Sequence, residues 1–485
     1  MTTRAAILAT LAAEPLDLLV IGGGIVGSCV ARDAALRGLR TGLVEQRDFA
    51  FGTSSRSSRL LHGGIRYLAQ GKIGLVREAS IEKTVLHQIA PHLATPLPFV
   101  FPTYRHNPAW KLWQLKFGVK FYDLLCSGRN LGHSSWLDRK QTAQTVPGLN
   151  EDGLAGAVRY FDGFTNDARL VLDTLSSAAE QGAALLNYAR YVQAKKEDLW
   201  QVEIEDALSG ARFTTRTRCV VNATGPWADG LPHSAVKLRL TKGIHFVVER
   251  ARLPVTEALV MTEGSRVLFA LPWGERTSFG TTDTDYNGPL DDVRADADDV
   301  AYVLRITNTH FPKAALQTSD VISTWAGLRP LIADPKGRPS DISRAHEIKS
   351  PEPNWWDVAG GKLTTCRLMA EQTVDRLVAA AGLQARPCAT AHTPLPGGDA
   401  AFSGILPPAF SREVVEHFCS REWAVRLEDV MIRRSSWHYY HRDAQDKAQK
   451  VAQWMAESLG WDAARRASEE HDYAIRNVFA LSRND

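Results

Sequence analysis

Three glycines, Gly22, Gly24 and Gly27, stand at the spacing GxGxxG, and an acid, Glu45, follows eighteen residues after the last of them. Glycines at that spacing suit a bound pyrophosphate. The first permits a sharp turn, the second lets backbone approach the phosphates, and the third lets a helix pack close against the strand before it. The N–H groups at the start of that helix then face the anion. An acid at the distance of Glu45 can accept hydrogen bonds from a ribose diol, which favours an unphosphorylated adenosine ribose, as in FAD or NAD, over NADP. Next comes Thr53-Ser54-Ser55-Arg56-Ser57-Ser58, small hydroxyls around one guanidinium. Such a run can donate to phosphates and to the polar edge of a flavin, although by itself it also reads as a solvated loop.

The elements that must position these residues occur in the required order. Residues 16–21 have the length and β-branching of a buried strand, a helix runs through residues 31–35, and a second strand at 41–44 ends at Glu45. Strand, fingerprint, helix, strand and acid within about 30 residues carry a dinucleotide reading that a lone GxGxxG would not. Further along, Asn222-Ala223-Thr224-Gly225 closes a strand at 219–221, and its glycine lets backbone come close to the dinucleotide. Gly360-Gly361-Lys362-Leu363-Thr364-Thr365 opens a last helix, whose N-terminus would stabilise negative charge gathering on a reduced flavin pyrimidine. The same residues also read as a turn with Thr364 as N-cap. The opening MTTRAAILATLAAEP is expected to be a short helix capping the sheet rather than a signal peptide, because the first strand follows at once.

At 485 residues the chain exceeds what one core supports, so two or three domains are expected. A net charge of +3 without any block of five or more basic residues argues against nucleic-acid binding. Cys29, Cys126, Cys219, Cys366, Cys388 and Cys419 lack CxxC spacing, so reduced cytosolic thiols are the simplest account. No HxxxH pair is present, no metal is expected, and His438 and His441 read as solvated. No apolar window is long enough for a transmembrane helix. Residues 110–129, WKLWQLKFGVKFYDLLCSGR, have the composition of an interfacial helix. At about 100° per residue, however, Lys116 and Lys120 fall near Trp113, so an amphipathic helix packed on the protein reads equally well.

FGTSSRSSRLLHGGIRYL, residues 51–68, resembles the block that follows the fingerprint in FAD-dependent glycerol-3-phosphate dehydrogenases. Later blocks resemble that family in the same order across residues 16–398: YFDG at 160–163 with DARL at 167–170, VNATGPW at 221–227, KGIHFVV at 242–248, LPW at 271–273 with GTTDT at 280–284, GLRPL at 327–331 and GGKLTT at 360–365.

The resemblance implies an α/β fold: a Rossmann-like FAD-binding domain, akin to glutathione reductase and D-amino-acid oxidase, with an inserted antiparallel-sheet substrate domain and a short C-terminal helical domain. The expected FAD-binding domain is discontinuous, taking residues 1–93, 148–230 and 321–398. The substrate cap takes 94–147 and 231–320, and the helical domain takes 399–485. The stretch between Gly398 and Glu422 is much shorter than in typical members, so several helices are expected to be missing. FAD, held without a covalent link, is expected on Gly22, Gly24, Gly27, Glu45, Thr53, Ser54, Ser55, Arg56, Ser57, His62, Gly63, Gly64, Ala223, Thr224, Gly225, Gly361, Lys362, Leu363 and Thr364.

A small polyol phosphate needs at least two fixed cations. The resemblance places Arg66, Tyr67 and Arg344 on the phosphate, Arg329 and Lys362 on the hydroxyl, and His245 as base for the C2 hydroxyl proton. Taken alone, His245 reads as a hydrogen-bonded structural histidine and Arg344 as a surface charge. Arg329 lies in the apolar context Gly327-Leu328 and Pro330-Leu331, where a guanidinium needs an anionic partner. The implied reaction converts sn-glycerol 3-phosphate to dihydroxyacetone phosphate, with hydride passing to flavin N5 and electrons to a quinone. Open alternatives are a glycerol-3-phosphate oxidase using O2, a flavoprotein acting on a hydroxy acid or amino acid, and a binding flavoprotein without turnover. A cytoplasmic protein is implied, with peripheral contact at the inner face of the cytoplasmic membrane and a homodimer left open.

Overall fold

The computed structural model describes residues 3–64, 68, 71–107, 109–125, 130–333, 346–397 and 401–477. Leu16–Ile21 lies at the centre of an eight-stranded sheet, parallel to Arg212–Asn222 on one side and to Thr41–Val44 on the other. Beyond Thr41–Val44 comes Ala184–Leu186, and beyond Arg212–Asn222 come Trp355–Gly360 and His346–Glu352. Parallel strands covered on both faces need continuous apolar runs, which Leu18, Leu19 and Val20 supply without any exposed surface. One face packs on the helices Ile25–Leu36, Asp167–Glu180 and Cys366–Ala381. The other is covered by the antiparallel strands Ala189–Lys196 and Trp200–Asp206 and by the helix Arg4–Ala13. The expected N-terminal cap is therefore present. Its single arginine anchors it, with Arg4 Nη2 2.6 Å from Asp206 Oδ1 and Nη1 2.8 Å from the Asn187 carbonyl oxygen.

A second sheet of ten strands forms around Leu238–Glu249. Its hydrogen bonding divides the chain differently from the expected domain boundaries. Leu154–Phe164 and Val321–Ile332, both expected with the flavin-binding sheet, pair here instead, with Thr95–Tyr104 and Leu238–Glu249 respectively. An apolar run suits a strand of either sheet, and its pairing partner leaves no mark in its own composition. The sheet is also mixed rather than wholly antiparallel. Ala258 and Leu259 pair in parallel with Phe99 and Val100, where the two inserted stretches meet edge to edge and no hairpin dictates an antiparallel turn.

Helices Arg412–Arg421, Ala444–Leu459 and Ala463–Asn477 follow, with a wide π-helical turn at Asp429–Arg434. They share a core with the second sheet, where Val415, Phe418, Leu427 and Trp437 pack with Val247, Trp273 and Trp325. His438 is not solvated as expected. It is half-buried, its Nδ1 lies 2.7 Å from the Tyr473 hydroxyl, and its desolvation lowers its pKa to about 4.

Candidate active site

A cavity of about 320 Å³ runs between the two sheets. Its dinucleotide end is shaped by backbone. Gly22 holds φ at 109°, and a Cβ there would lie 2.6 Å from the Ala223 carbonyl oxygen. A Cβ on Gly27 would collide with the carbonyl oxygen of Gly22, so only glycine brings the helix this close to the strand. Ser54 Oγ accepts the N–H of Ile25 at 2.9 Å and so caps the helix, while Gly24 and Val26 face the cavity. Glu45 stands at the end of Thr41–Val44, its Oε2 accepting the Gly23 N–H at 2.7 Å and its Oε1 the Arg47 N–H at 2.9 Å. Burial raises its pKa against these two bonds. Each oxygen keeps a second lone pair that a ribose diol could use.

Gly22, Gly24, Glu45, Thr53, Ser54, Arg56, Ser57, His62, Ala223, Thr224, Gly225, Gly361, Lys362, Leu363 and Thr364 all line this cavity, as do His245 and Arg329. The rest of the expected set stands behind the wall. Gly27 packs in the helix, Ser55 is buried, and Gly63 donates its N–H to the Tyr122 hydroxyl at 3.0 Å. Gly64 does not line the cavity either. Arg66, Tyr67 and Arg344 lie outside the described residues.

At the far end Gly360 and Gly361 hold φ at 74° and 76°, a turn that glycine makes without strain and that delivers Lys362 and Leu363 to the cavity. Thr364 pins this turn to the opposite wall, its Oγ1 accepting the His62 N–H at 3.0 Å. Arg329 projects from Val321–Ile332 and finds the anionic partner its context calls for. Its Nη1 is 3.1 Å from Asp283 Oδ1, and Nη2 donates to Thr281 Oγ1 at 2.8 Å. His245 shares a strand face with Val247, opposite Ile244, Phe246 and Val248, and its ring stacks on Trp325 at 5.0 Å with 13° between the planes. Burial, then Arg329 and Arg59, lower its pKa to about 3, so the imidazole is neutral at pH 7 and can accept a proton.

Ser58 and Trp325 hold His245 in place and were not singled out by sequence reasoning. Ser58 Oγ lies 2.9 Å from His245 Nε2. The last hydroxyl of the Thr53–Ser58 run could have been included on composition alone, whereas nothing local marks Trp325. Tyr191 and Trp227 also line the cavity, bringing aromatic faces on which a flat ring can stack.

The wall suits FAD. A glycine cradle that a Cβ would fill stands at one end, an acid beside it, and a helix-opening Gly-Gly turn at the other. The profile of FAD dependent oxidoreductases matches residues 17–376, and that of the C-terminal domain of alpha-glycerophosphate oxidase matches 403–466. An aerobic glycerol-3-phosphate dehydrogenase of Staphylococcus haemolyticus is 36% identical over 417 residues, covering 83% of this chain and 75% of that protein. A glycerol-3-phosphate dehydrogenase of Mycobacterium leprae is 34% identical over 529 residues, covering 98% and 90%. The solved glycerol-3-phosphate dehydrogenase of Bacillus halodurans, complexed with FAD, superposes with a TM-score of 0.80 at 28% identity over 99% of both chains.

Proposed function

Because this chain belongs to the FAD-dependent glycerol-3-phosphate dehydrogenases, within the wider family of FAD dependent oxidoreductases, we propose that it oxidises sn-glycerol 3-phosphate at C2 to dihydroxyacetone phosphate and passes the electrons to a quinone. The observation that carries this reading is that His245 and Arg329 from one sheet and Lys362 from the turn that leaves the other line the same cavity beyond the dinucleotide cradle. FAD, when bound, supplies the hydride acceptor at its N5. The protein does the rest. His245, neutral and buried, takes the C2 hydroxyl proton, while Arg329 and Lys362 orient the hydroxyl and stabilise negative charge on its oxygen. Arg329 keeps Asp283 as a fixed counter-ion, which holds its fork in place. Arg66, Tyr67 and Arg344 are proposed to hold the phosphate. Enclosure between two sheets excludes water from the reacting carbon.

The quinone reading, with peripheral contact at a membrane, is supported by the helix Leu112–Leu125. Leu115, Val119 and Tyr122 face inward, whereas Trp113, Phe117, Phe121 and Leu124 form an outward stripe, with Phe117 74% and Leu124 70% exposed. Lys116 and Lys120 flank the stripe and approach the half-exposed Trp136 at 5.2 and 5.9 Å. Exposed aromatics edged by lysines suit an anionic bilayer surface. On the inner face, the Tyr122 hydroxyl binds Asp162 and Gly63, next to the cavity residue His62, so this surface lies close behind the flavin site. Among the described residues no helix is long and apolar enough to cross a membrane.

The test is anaerobic addition of sn-glycerol 3-phosphate to the FAD-loaded protein, followed by air. Bleaching of the flavin band with slow recolouring in air, but fast recolouring with a soluble quinone, is expected. Fast recolouring with peroxide would make the protein an oxidase. Bleaching only by another hydroxy acid or an amino acid would overturn the substrate.

A further inference from the structure

His245 presents its two ring nitrogens very differently. Nδ1 is buried with no hydrogen-bond partner among the described residues, so it has no route to a substrate. Nε2 lies 2.9 Å from Ser58 Oγ, and both residues line the same cavity, so Ser58 occupies the hydrogen-bonding side of the imidazole. A substrate hydroxyl therefore meets Ser58 before it meets the imidazole. Resting on the reading of His245 as base for the C2 hydroxyl, we propose that Ser58 is a catalytic proton relay between the substrate hydroxyl and His245. The proton of the C2 hydroxyl passes to Ser58 Oγ as the proton of Ser58 passes to Nε2. The electron pair of the C2–H bond leaves with the hydride to oxidised FAD, and the C2–O bond becomes the ketone. The serine ends with one proton, as it began, and the imidazole carries the charge.

The turn that carries Ser58 is built to hold it. Arg59 adopts φ of 57°, a left-handed conformation that costs a non-glycine residue energy and persists only where its surroundings impose it. Four contacts do so. Asp167 Oδ2 accepts the Ser57 N–H at 2.9 Å, Ser57 Oγ accepts the Arg59 N–H at 3.0 Å, and the Arg59 carbonyl oxygen accepts the Thr165 N–H at 2.9 Å. The Trp325 indole N–H donates to the Ser57 carbonyl oxygen at 3.1 Å. The other face of this tryptophan role is the stack on His245, so one side chain fixes both partners of the relay. The Arg59 guanidinium lies 4.3 Å from the Trp273 ring and 5.2 Å from that of Trp325, on the side away from solvent. The charged groups that bear on His245 are Arg59 from this turn, with Asp167 at 3.8 Å, and Arg329 from the neighbouring strand, with Asp283.

The experiment is stopped-flow reduction of the FAD-loaded protein by sn-glycerol 3-phosphate, without oxygen, in mixtures of light and heavy water. For the natural sequence a bowed dependence on deuterium content is expected, reporting two protons in flight. Ser58→Ala should slow flavin reduction about 100-fold, the scale of a positioned proton carrier, with the flavin spectrum, substrate Kd and melting temperature unchanged. Ser58→Thr, which keeps the hydroxyl, should stay within about threefold of the natural protein. A Ser58→Ala variant as fast as Ser58→Thr, or a linear deuterium dependence in the natural protein, would overturn the relay while leaving the proposed reaction standing. Failure of the natural protein itself to be reduced by this substrate would remove the functional reading and the relay together.

Discussion

His245 is held neutral by burial and by two arginines, which makes it ready to accept a proton but a weak base until a dianionic substrate offsets the positive charge around it. His245→Asn keeps the size of the ring's inner half and removes the acceptor, so flavin reduction by substrate should fall by about 100- to 10,000-fold while FAD stays bound, read from the flavin spectrum and single-turnover rates. Histidines that the fold holds neutral also leave a signature in stability. The pKa of His438 falls to about 4 through burial, below the value of about 6.5 for an unfolded histidine. Between those values the unfolded chain binds more protons than the folded one. The contribution of His438 is thus complete above pH 6.5 and is lost as pH falls toward 4. His438→Gln should flatten the acid limb of a stability curve by up to about 1.4 kcal/mol per pH unit in that window. Chemical denaturation at pH 7 and 5 checks the slope, and an unchanged slope would mean that the ring is charged when folded.

The helix Leu112–Leu125 shows why some elements are legible and others are not. The strands at 16–21 and 41–44 are found where the sequence places them, because a glycine fingerprint and an acid bracket them and because a parallel strand must be apolar throughout. The helix carries apolar residues on two faces, one for the core and one for the outside, so no single apolar stripe separates it from its lysines. Only its seating on the fold assigns Leu115 and Val119 inward and Phe117 and Leu124 outward. The same limit applied to Leu154–Phe164 and Val321–Ile332, whose residues qualify for either sheet until their partners are known. At the site, the glycines and Glu45 were legible from type and spacing, and the need of Arg329 for an anionic partner from its apolar context, whereas His245 stood out only through the family resemblance, and Ser58 acquires its meaning from a histidine nearly two hundred positions away. If the outward stripe meets lipid, Phe117→Glu with Leu124→Glu should abolish sedimentation with vesicles containing anionic lipid, without slowing reduction of the flavin. Lys116→Gln with Lys120→Gln should weaken binding about 30-fold at low salt, at about 1 kcal/mol for each lysine. Retention of vesicle binding by the glutamate variant would rule this face out.

Across the whole molecule, the C-terminal helices are tied to the dinucleotide site by buried charge as well as by a shared core. Asp48, three positions beyond Glu45, has no exposed surface and pairs with Arg433 at 2.5 Å and with Arg434. Burial alone would raise its pKa, but the two guanidinium groups hold it below the usual range. Phe49 and Ala50 follow directly, and the Ala50 N–H donates to the Gly23 carbonyl oxygen at 3.0 Å, so the clamp reaches the fingerprint through one short segment. A second buried link, Arg169 to Glu422, joins the same helices to Asp167–Glu180, which packs on the helix of the fingerprint. An appendage would melt by itself and leave the cofactor in place. A region clamped in this way should instead unfold with the cofactor domain. Asp48→Asn removes the carboxylate that pairs with the buried Arg434 and leaves Arg433 only Asp429 and Glu428 among the described residues, a change worth about 3–5 kcal/mol. FAD release, followed by the rise in flavin fluorescence, should coincide with loss of helical circular dichroism in the natural protein, and both should move together to lower temperature in Asp48→Asn. A helical transition preceding FAD release in either protein would show instead that the clamp closes on a site already formed without it.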